Sequence, residues 1–120
     1  MSDLDIKVSQ MEGNVPVTVL HVSGDIDANT AQSLDSKATE ILSIGGSQHI
    51  ILDLTNNNYM SSAGFRTIHK IHTTLKERND DSSSIKLLKP SEQIKRLMKT
   101  MGFDTHISSY DDLSKAVNAF

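Results

Sequence analysis

The sequence predicts an α/β fold in which a mixed sheet of four to five strands is combined with about four helices. Three patterns predict this class. Polar and apolar residues alternate near the N-terminus, later apolar runs are nearly continuous, and residues between those runs recur at helical spacing. Because strands alternate with helices, we expect parallel pairing through right-handed crossovers.

The first half of the chain predicts a hairpin, a helix and a central strand. Leu4, Ile6 and Val8 mark a half-buried strand, and residues 17–22 (VTVLHV) mark the second strand of an antiparallel hairpin. A helix follows over residues 31–42, with Asn29–Thr30 as its cap and residues 45–46 (GG) as its stop. The apolar run 49–54 (HIILDL) then predicts a central parallel strand.

The second half repeats the alternation. An apolar stripe over residues 65–75 predicts a helix that ends before a solvated loop at 79–84, and residues 85–88 predict a short strand. A third helix is expected from a Ser91 cap to Gly102. A weak strand at 105–108 and a final helix over 113–120 complete the predicted order.

Composition restricts the function. With 120 residues and 37% apolar content, we expect one domain over 1–120. Zero cysteines leave no thiolate metal site and no disulfide, and the polar N-terminus lacks a secretory pattern, so a cytoplasmic location is expected. No apolar run approaches the roughly 20 residues of a membrane helix. The formal charge of −3 predicts no membrane and no direct nucleic-acid binding, and favours protein or small-molecule partners.

Two loops at the carboxyl ends of parallel strands, 23–28 and 55–62, are candidate site segments, since sites form at that edge near a switch in strand order. Ser61 and Ser62 lie where the second loop enters a helix. Such serines commonly cap the helix through its free N–H groups. The same N–H groups and the helix dipole also favour a phosphoryl group on the hydroxyl. The residues alone leave both interpretations open.

Neighbouring residues fit the same two interpretations. Asp25 and Asp27 are ordinary turn residues, or they make an acidic edge that phosphorylation of a nearby serine would render strongly repulsive. Ala63 and Gly64 allow either the approach of a partner's active site or tight packing of helix on sheet. Met60 is expected to be partly exposed beside the loop, where it would suit a protein interface.

Other chemistries have weaker support. An acyl-transfer serine lacks the Gly-x-Ser-x-Gly elbow and a histidine that the sequence places as its base. His69 and His72 are three residues apart on a helix, but no third ligand is evident, so we expect no metal and no cofactor. Lys95, Arg96 and Lys99 form either a solvated helix face or a partner contact.

The chain resembles a STAS domain, and in particular the single-domain bacterial anti-sigma factor antagonists. The resemblance covers nearly the whole chain and rests on two stretches, residues 20–27 (LHVSGDID) and the strand 51–54 (ILDL) followed by residues 59–65 (YMSSAGF). It implies a STAS-like sheet. It also implies that a serine at the junction of loop and helix is phosphorylated by a partner that is both a serine kinase and an anti-sigma factor.

Aligned through Gly64, the phosphorylated serine is Ser62, with Ser61 as the alternative. Many family members have Asp before and Ser after this position, where the present chain has Ser61 and Ala63. The resemblance implies partner switching without catalysis: the unphosphorylated protein binds the kinase, phosphorylation breaks the complex, and a PP2C-type phosphatase restores it. The implied partner-binding residues are Asp25, Asp27, Tyr59, Met60, Ser61, Ala63 and Gly64.

Two alternatives remain from the sequence. A receiver-like domain would use Asp25 and Asp27 as its acidic pocket, Asp53 as phosphoryl acceptor and the pair Lys89–Pro90. Only one helix and no strand fit between Asp53 and Lys89. A STAS scaffold or ligand-binding module would regulate a target other than a sigma factor without phosphorylation.

Overall fold

The computed structural model describes residues 4–44, 48–78 and 85–120. The predicted helix stop at 45–46 and the predicted loop at 79–84 lie outside the described residues. The elements are, in chain order, β1 (Asp5–Glu12), β2 (Pro16–Ser23), α1 (Ala31–Leu42), β3 (Ile50–Asn56), α2 (Ser62–Arg78), β4 (Ile85–Leu88), α3 (Glu92–Thr100), a 3₁₀ turn (Phe103–Thr105), β5 (Ser108–Tyr110) and α4 (Leu113–Asn118).

The five strands form one mixed sheet in the order β1-β2-β3-β4-β5. β1 and β2 pair antiparallel, and every later neighbour pairs parallel, which confirms the predicted fold class and hairpin. Because the strand order follows the chain order in this sheet, the expectation of a site at a switch in strand order is wrong. The two candidate loops instead share one edge because β2 and β3 are parallel neighbours.

Each face of the sheet packs against its own hydrophobic core. On one face, Leu52 of β3 packs with Leu34, Ile68 and Ile94 from α1, α2 and α3. The opposite face is covered by α4, which packs on a smaller cluster that includes Ile51 of the same strand. Since successive residues of a strand point to opposite faces, β3 is apolar on both sides, as its continuous run predicts.

The last strand differs from the prediction. β5 occupies Ser108–Tyr110 rather than 105–108, because a 3₁₀ turn takes up Phe103–Thr105. Gly102 has φ +77 and ends α3, and the Thr105 hydroxyl then donates to its carbonyl at 2.9 Å. This turn places Ile107 in the core with 2% exposure, so the chain becomes a strand only after that residue.

Gly64 determines how closely the start of α2 approaches the sheet edge. A Cβ atom at this position would lie 2.5 Å from Met60 Cγ and 2.8 Å from Ile26 Cγ2. Both distances are shorter than normal carbon contacts, so a larger residue would have to displace the Met60 and Ile26 side chains or the helix.

We expect Gly64→Ala to lower the free energy of unfolding by about 1–3 kcal/mol, because overpacking forces neighbours away from their preferred positions. Urea denaturation followed by circular dichroism measures this change. Ser36→Ala, on the exposed face of α1, is the matched control and should change stability by less than about 0.5 kcal/mol. Equal stability of the two variants would contradict the close packing at Gly64.

Candidate functional site

The two candidate loops are joined by an isolated parallel bridge between Ile26 and Met60. The Ile26 N–H donates to the Tyr59 carbonyl at 2.9 Å, and the Ser61 N–H donates to the Ile26 carbonyl at 2.7 Å. The bridge continues the pairing of β2 and β3 beyond the ends of both strands. It confirms the expectation that residues 24–28 lie beside the serine loop.

Asn57 fixes the base of this bridge. Its side chain is 2% exposed, and Nδ2 donates to the Gly24 carbonyl at 2.7 Å and to the Tyr59 carbonyl at 2.9 Å. The Gly24 N–H donates in turn to the Asn56 carbonyl at 3.2 Å. No local signal in the sequence distinguishes Asn57 from the two asparagines beside it.

Met60 is held from the other side by α3. Gln93 Oε1 accepts from the Met60 N–H at 3.4 Å, and Gln93 Nε2 donates to the Met60 carbonyl at 3.3 Å. The Met60 side chain is only 1% exposed, so the expectation that it is partly exposed is wrong. It fills the space that Gly64 leaves open, whereas Tyr59 is 46% exposed and provides the apolar surface of the loop.

The two serines have different environments. Ser61 precedes the first residue of α2, and its carbonyl accepts from Gly64 N–H at 3.0 Å and Phe65 N–H at 3.3 Å. Its hydroxyl oxygen is buried and has no hydrogen-bond partner among the described residues. It therefore occupies the cap position without making the side-chain capping bond. Ser62 is the first helical residue and is exposed.

Charges around Ser62 favour an added anion on the helix. The first turn of α2 contains no acidic residue, and the free N–H groups of that turn carry the positive end of the helix dipole. Arg66 follows one turn later on the same helix and is exposed. A phosphate on Ser62 would therefore meet favourable charge from its own helix.

The predicted acidic pair is split in the structure. Asp25 is exposed, but Asp27 Oδ1 accepts from the N–H groups of Asn29 and Thr30, both at 2.8 Å. The backbone hydrogen bond from Thr30 is the largest influence and, with the others, keeps the pKa of Asp27 below 3.8 despite some desolvation. Asp27 thus closes the turn that leads into α1, and Thr30 is the N-cap residue, as predicted, although it makes no side-chain capping bond.

A groove of about 440 Å³ lies between α1 and α2 and begins beside Ser62. Ala63, Arg66 and Thr67 line it on the α2 side. Across it, Lys70 Nζ of α2 contacts Asp35 Oδ1 of α1 at 3.1 Å. The groove places an exposed arginine and small side chains next to the candidate serine.

Away from this edge, three strands are linked by a polar network that sequence analysis missed. Ser9 Oγ lies 2.8 Å from His21 Nε2, and His21 Nδ1 lies 2.7 Å from Asp53 Oδ2. Asp53 Oδ1 also accepts from the Thr55 N–H at 3.0 Å. The spacing is that of a Ser-His-Asp hydrogen-bond chain. None of these residues lines the groove beside Ser62, so the network joins β1, β2 and β3 rather than building that site.

The remaining candidates are placed elsewhere. His69 and His72 lie on α2 beyond the groove, and no three His, Asp or Glu side chains within 4–44, 48–78 and 85–120 are arranged to hold a metal ion. Lys95, Arg96 and Lys99 are exposed on α3, where Lys95 lies 3.7 Å from Glu92.

A family model for the STAS domain matches residues 8–116, and the chain belongs to this family. The fold is similar to that of an anti-sigma factor antagonist from Mycobacterium paratuberculosis, with 20% identity, TM-score 0.81, and coverage of 98% of this chain and 93% of that one. A putative anti-sigma factor antagonist from Thermotoga maritima gives 17% identity and TM-score 0.83, with coverage of 95% and 92%. The phosphorylated form of the Bacillus cell fate determinant SpoIIAA gives 15% identity and TM-score 0.71, with coverage of 96% and 98%.

Family membership excludes the receiver-like alternative. Within the described residues, no helix has the length and apolar character needed to cross a membrane.

We expect Asn57→Ala to lower the free energy of unfolding by about 1–3 kcal/mol, because it leaves the Gly24 and Tyr59 carbonyls without their donor. Hydrogen exchange should also become faster at the Ile26 and Ser61 amides of the bridge. Urea denaturation and amide exchange by NMR measure the two effects. Asn58→Ala, at the exposed neighbour, is the control, and equal effects of both substitutions would contradict a special role for Asn57.

Asp53 should make stability depend on pH. Desolvation raises its pKa, but hydrogen bonds from Thr55 and the interactions with His21 outweigh this and hold the pKa below 3.8. A lowered folded-state pKa stabilises the protein above pH 3.8, and this contribution disappears as pH falls through the folded value. Asp53→Asn should therefore be less stable than wild type at pH 6, and the difference in unfolding free energy should shrink toward pH 3. If the two proteins differed in unfolding free energy by the same amount from pH 6 to pH 3, the lowered pKa of Asp53 would be refuted.

Proposed function

We propose that the protein is an anti-sigma factor antagonist-type regulator that is phosphorylated on Ser62. Unphosphorylated protein binds an anti-sigma factor that is also a serine kinase, and the phosphorylated protein releases it. The observation that carries the proposal is the contrast between the exposed Ser62, at the first position of α2, and the buried hydroxyl of Ser61. A kinase can reach Ser62 without unfolding the loop.

The surroundings of Ser62 explain how one phosphate acts as a switch. Phosphorylation adds a charge of about −1.5 to −2, which the start of α2 tolerates because the helix dipole and Arg66 are favourable. The same charge opposes an interface that has formed over the exposed Tyr59 and Asp25, since it must then be desolvated next to an acidic group. The free protein remains folded while the complex loses stability.

The partner-facing surface differs in part from the sequence-based set. Accessible atoms come from Asp25, Tyr59, Ser62 and the edge of the groove at Ala63. Met60 and Gly64 are buried and hold the loop in place. A PP2C-type phosphatase resets the switch in the cytoplasm, and the domain contributes no catalysis. The phosphorylated state named for the SpoIIAA neighbour supports this cycle by analogy of fold.

Phosphosite mapping of protein isolated from its native host tests the modification. We expect one acid-stable phosphate on Ser62. The same phosphate on Ser61 would move the site by one residue, and absence of any phosphate under varied growth conditions would favour the unmodified STAS scaffold.

Binding to the kinase captured by pull-down with wild-type bait tests the switch. Ser62→Asp should weaken this binding at least about a hundredfold, because like charge at an interface costs several kcal/mol. Ser62→Ala is the matched control and should bind as wild type does while accepting no phosphate. Retained binding by Ser62→Asp would overturn the proposal.

A further inference from the structure

Three of the five histidines of the chain line one cleft, far from the candidate serine along α2. This His cleft has a volume of about 340 Å³ and lies between the second half of α2 and the connection from α3 to β5. Its histidines are His69 and His72 on α2 and His106 in the connection. Neither the STAS family match nor the proposed switch assigns it a role.

The walls of the cleft offer flat apolar surface. The His69 ring stacks on the Phe103 ring with centroids 5.0 Å apart and planes inclined by 6°. The His72 and His106 rings face each other with centroids 6.2 Å apart. Met101 is 43% exposed and also lines the cleft, so an apolar ligand would cover surface that now contacts water.

The titratable part of the lining is basic. Lys76 lines the cleft together with the three imidazoles, and no carboxylate among the described residues lines it, although the whole chain has a formal charge of −3. Glu77 on α2 and Asp104 on the connection are the nearest acidic residues in sequence, and neither is part of the lining.

The basic groups also repel one another. Burial lowers the pKa of His72, and the neighbouring His106, Lys76 and His69 lower it further. A bound anion would relieve this repulsion, whereas a cation would increase it. The described part of the chain also offers no set of three metal-ligating side chains here.

We propose that the His cleft binds a small organic anion with a planar apolar body. The anionic group contacts Lys76 and the imidazoles, and the planar body packs against Phe103 and Met101. The volume lies at the small end of the roughly 300–1,000 Å³ typical of ligand pockets, which suits a ligand of two or three rings. This proposal does not depend on phosphorylation of Ser62.

The test compares two dyes of the same shape. Anilinonaphthalene sulfonate carries one negative charge, and N-phenyl-1-naphthylamine is its neutral analogue. Fluorescence titration of the full chain should give at least about tenfold tighter binding for the sulfonate. Amide shifts in ¹H–¹⁵N NMR spectra should be concentrated in residues 69–76 and 101–107, and well-dispersed spectra verify that the protein remains folded.

A double variant removes two of the four basic groups. Lys76→Gln with His106→Gln should weaken sulfonate binding about tenfold and leave binding of the neutral dye unchanged. Lys95→Gln with Lys99→Gln, which removes two charges from a different cleft, should leave both unchanged. Equal affinity for the two dyes, shifts centred elsewhere, or equal effects of the two double variants would each overturn the proposal.

Discussion

The parallel bridge between Ile26 and Met60 is the interaction on which the geometry of the candidate site depends. The bridge extends the pairing of β2 and β3 beyond the strand ends and so keeps the two loops side by side. Asn57 satisfies carbonyls on both loops, Gln93 holds the Met60 backbone from α3, and Gly64 permits α2 to approach. Each contact comes from a different element, so the bridge links the start of α2 to the sheet and to α3 together.

This frame explains why a single charge suffices in the proposed switch. The Ser61 N–H is bonded to Ile26, and the Ser61 carbonyl begins the hydrogen-bond pattern of α2, so Ser62 has little freedom to move. A phosphate added there changes the electrostatic field of a fixed surface. The proposed switch then requires no alternative fold. The helix dipole stabilises the phosphate in the free protein, but it cannot compensate for desolvation of the phosphate in a complex.

Much of the fold follows from periodicity, whereas the contacts that shape the site do not. The continuous apolar run predicts β3 because both faces of that strand are buried, and the apolar stripe predicts α2 because one face of that helix is buried. The burial of Met60 depends on a glycine four residues later and on Ile26 from another loop, which no local pattern contains. The His21–Asp53 contact likewise requires the register of β2 against β3.

Helix α2 connects the two surfaces through its three faces. Its 17 residues bury one stripe through Phe65, Ile68, Ile71 and Leu75, which attaches the helix to the sheet. Residues at helical spacing on one side of this stripe line the groove beside Ser62, and those on the other side line the His cleft. Ser62 and His72 are about 15 Å apart along the helix axis at 1.5 Å per residue. The buried stripe therefore separates the two surfaces of α2, and no residue lines both the groove and the His cleft.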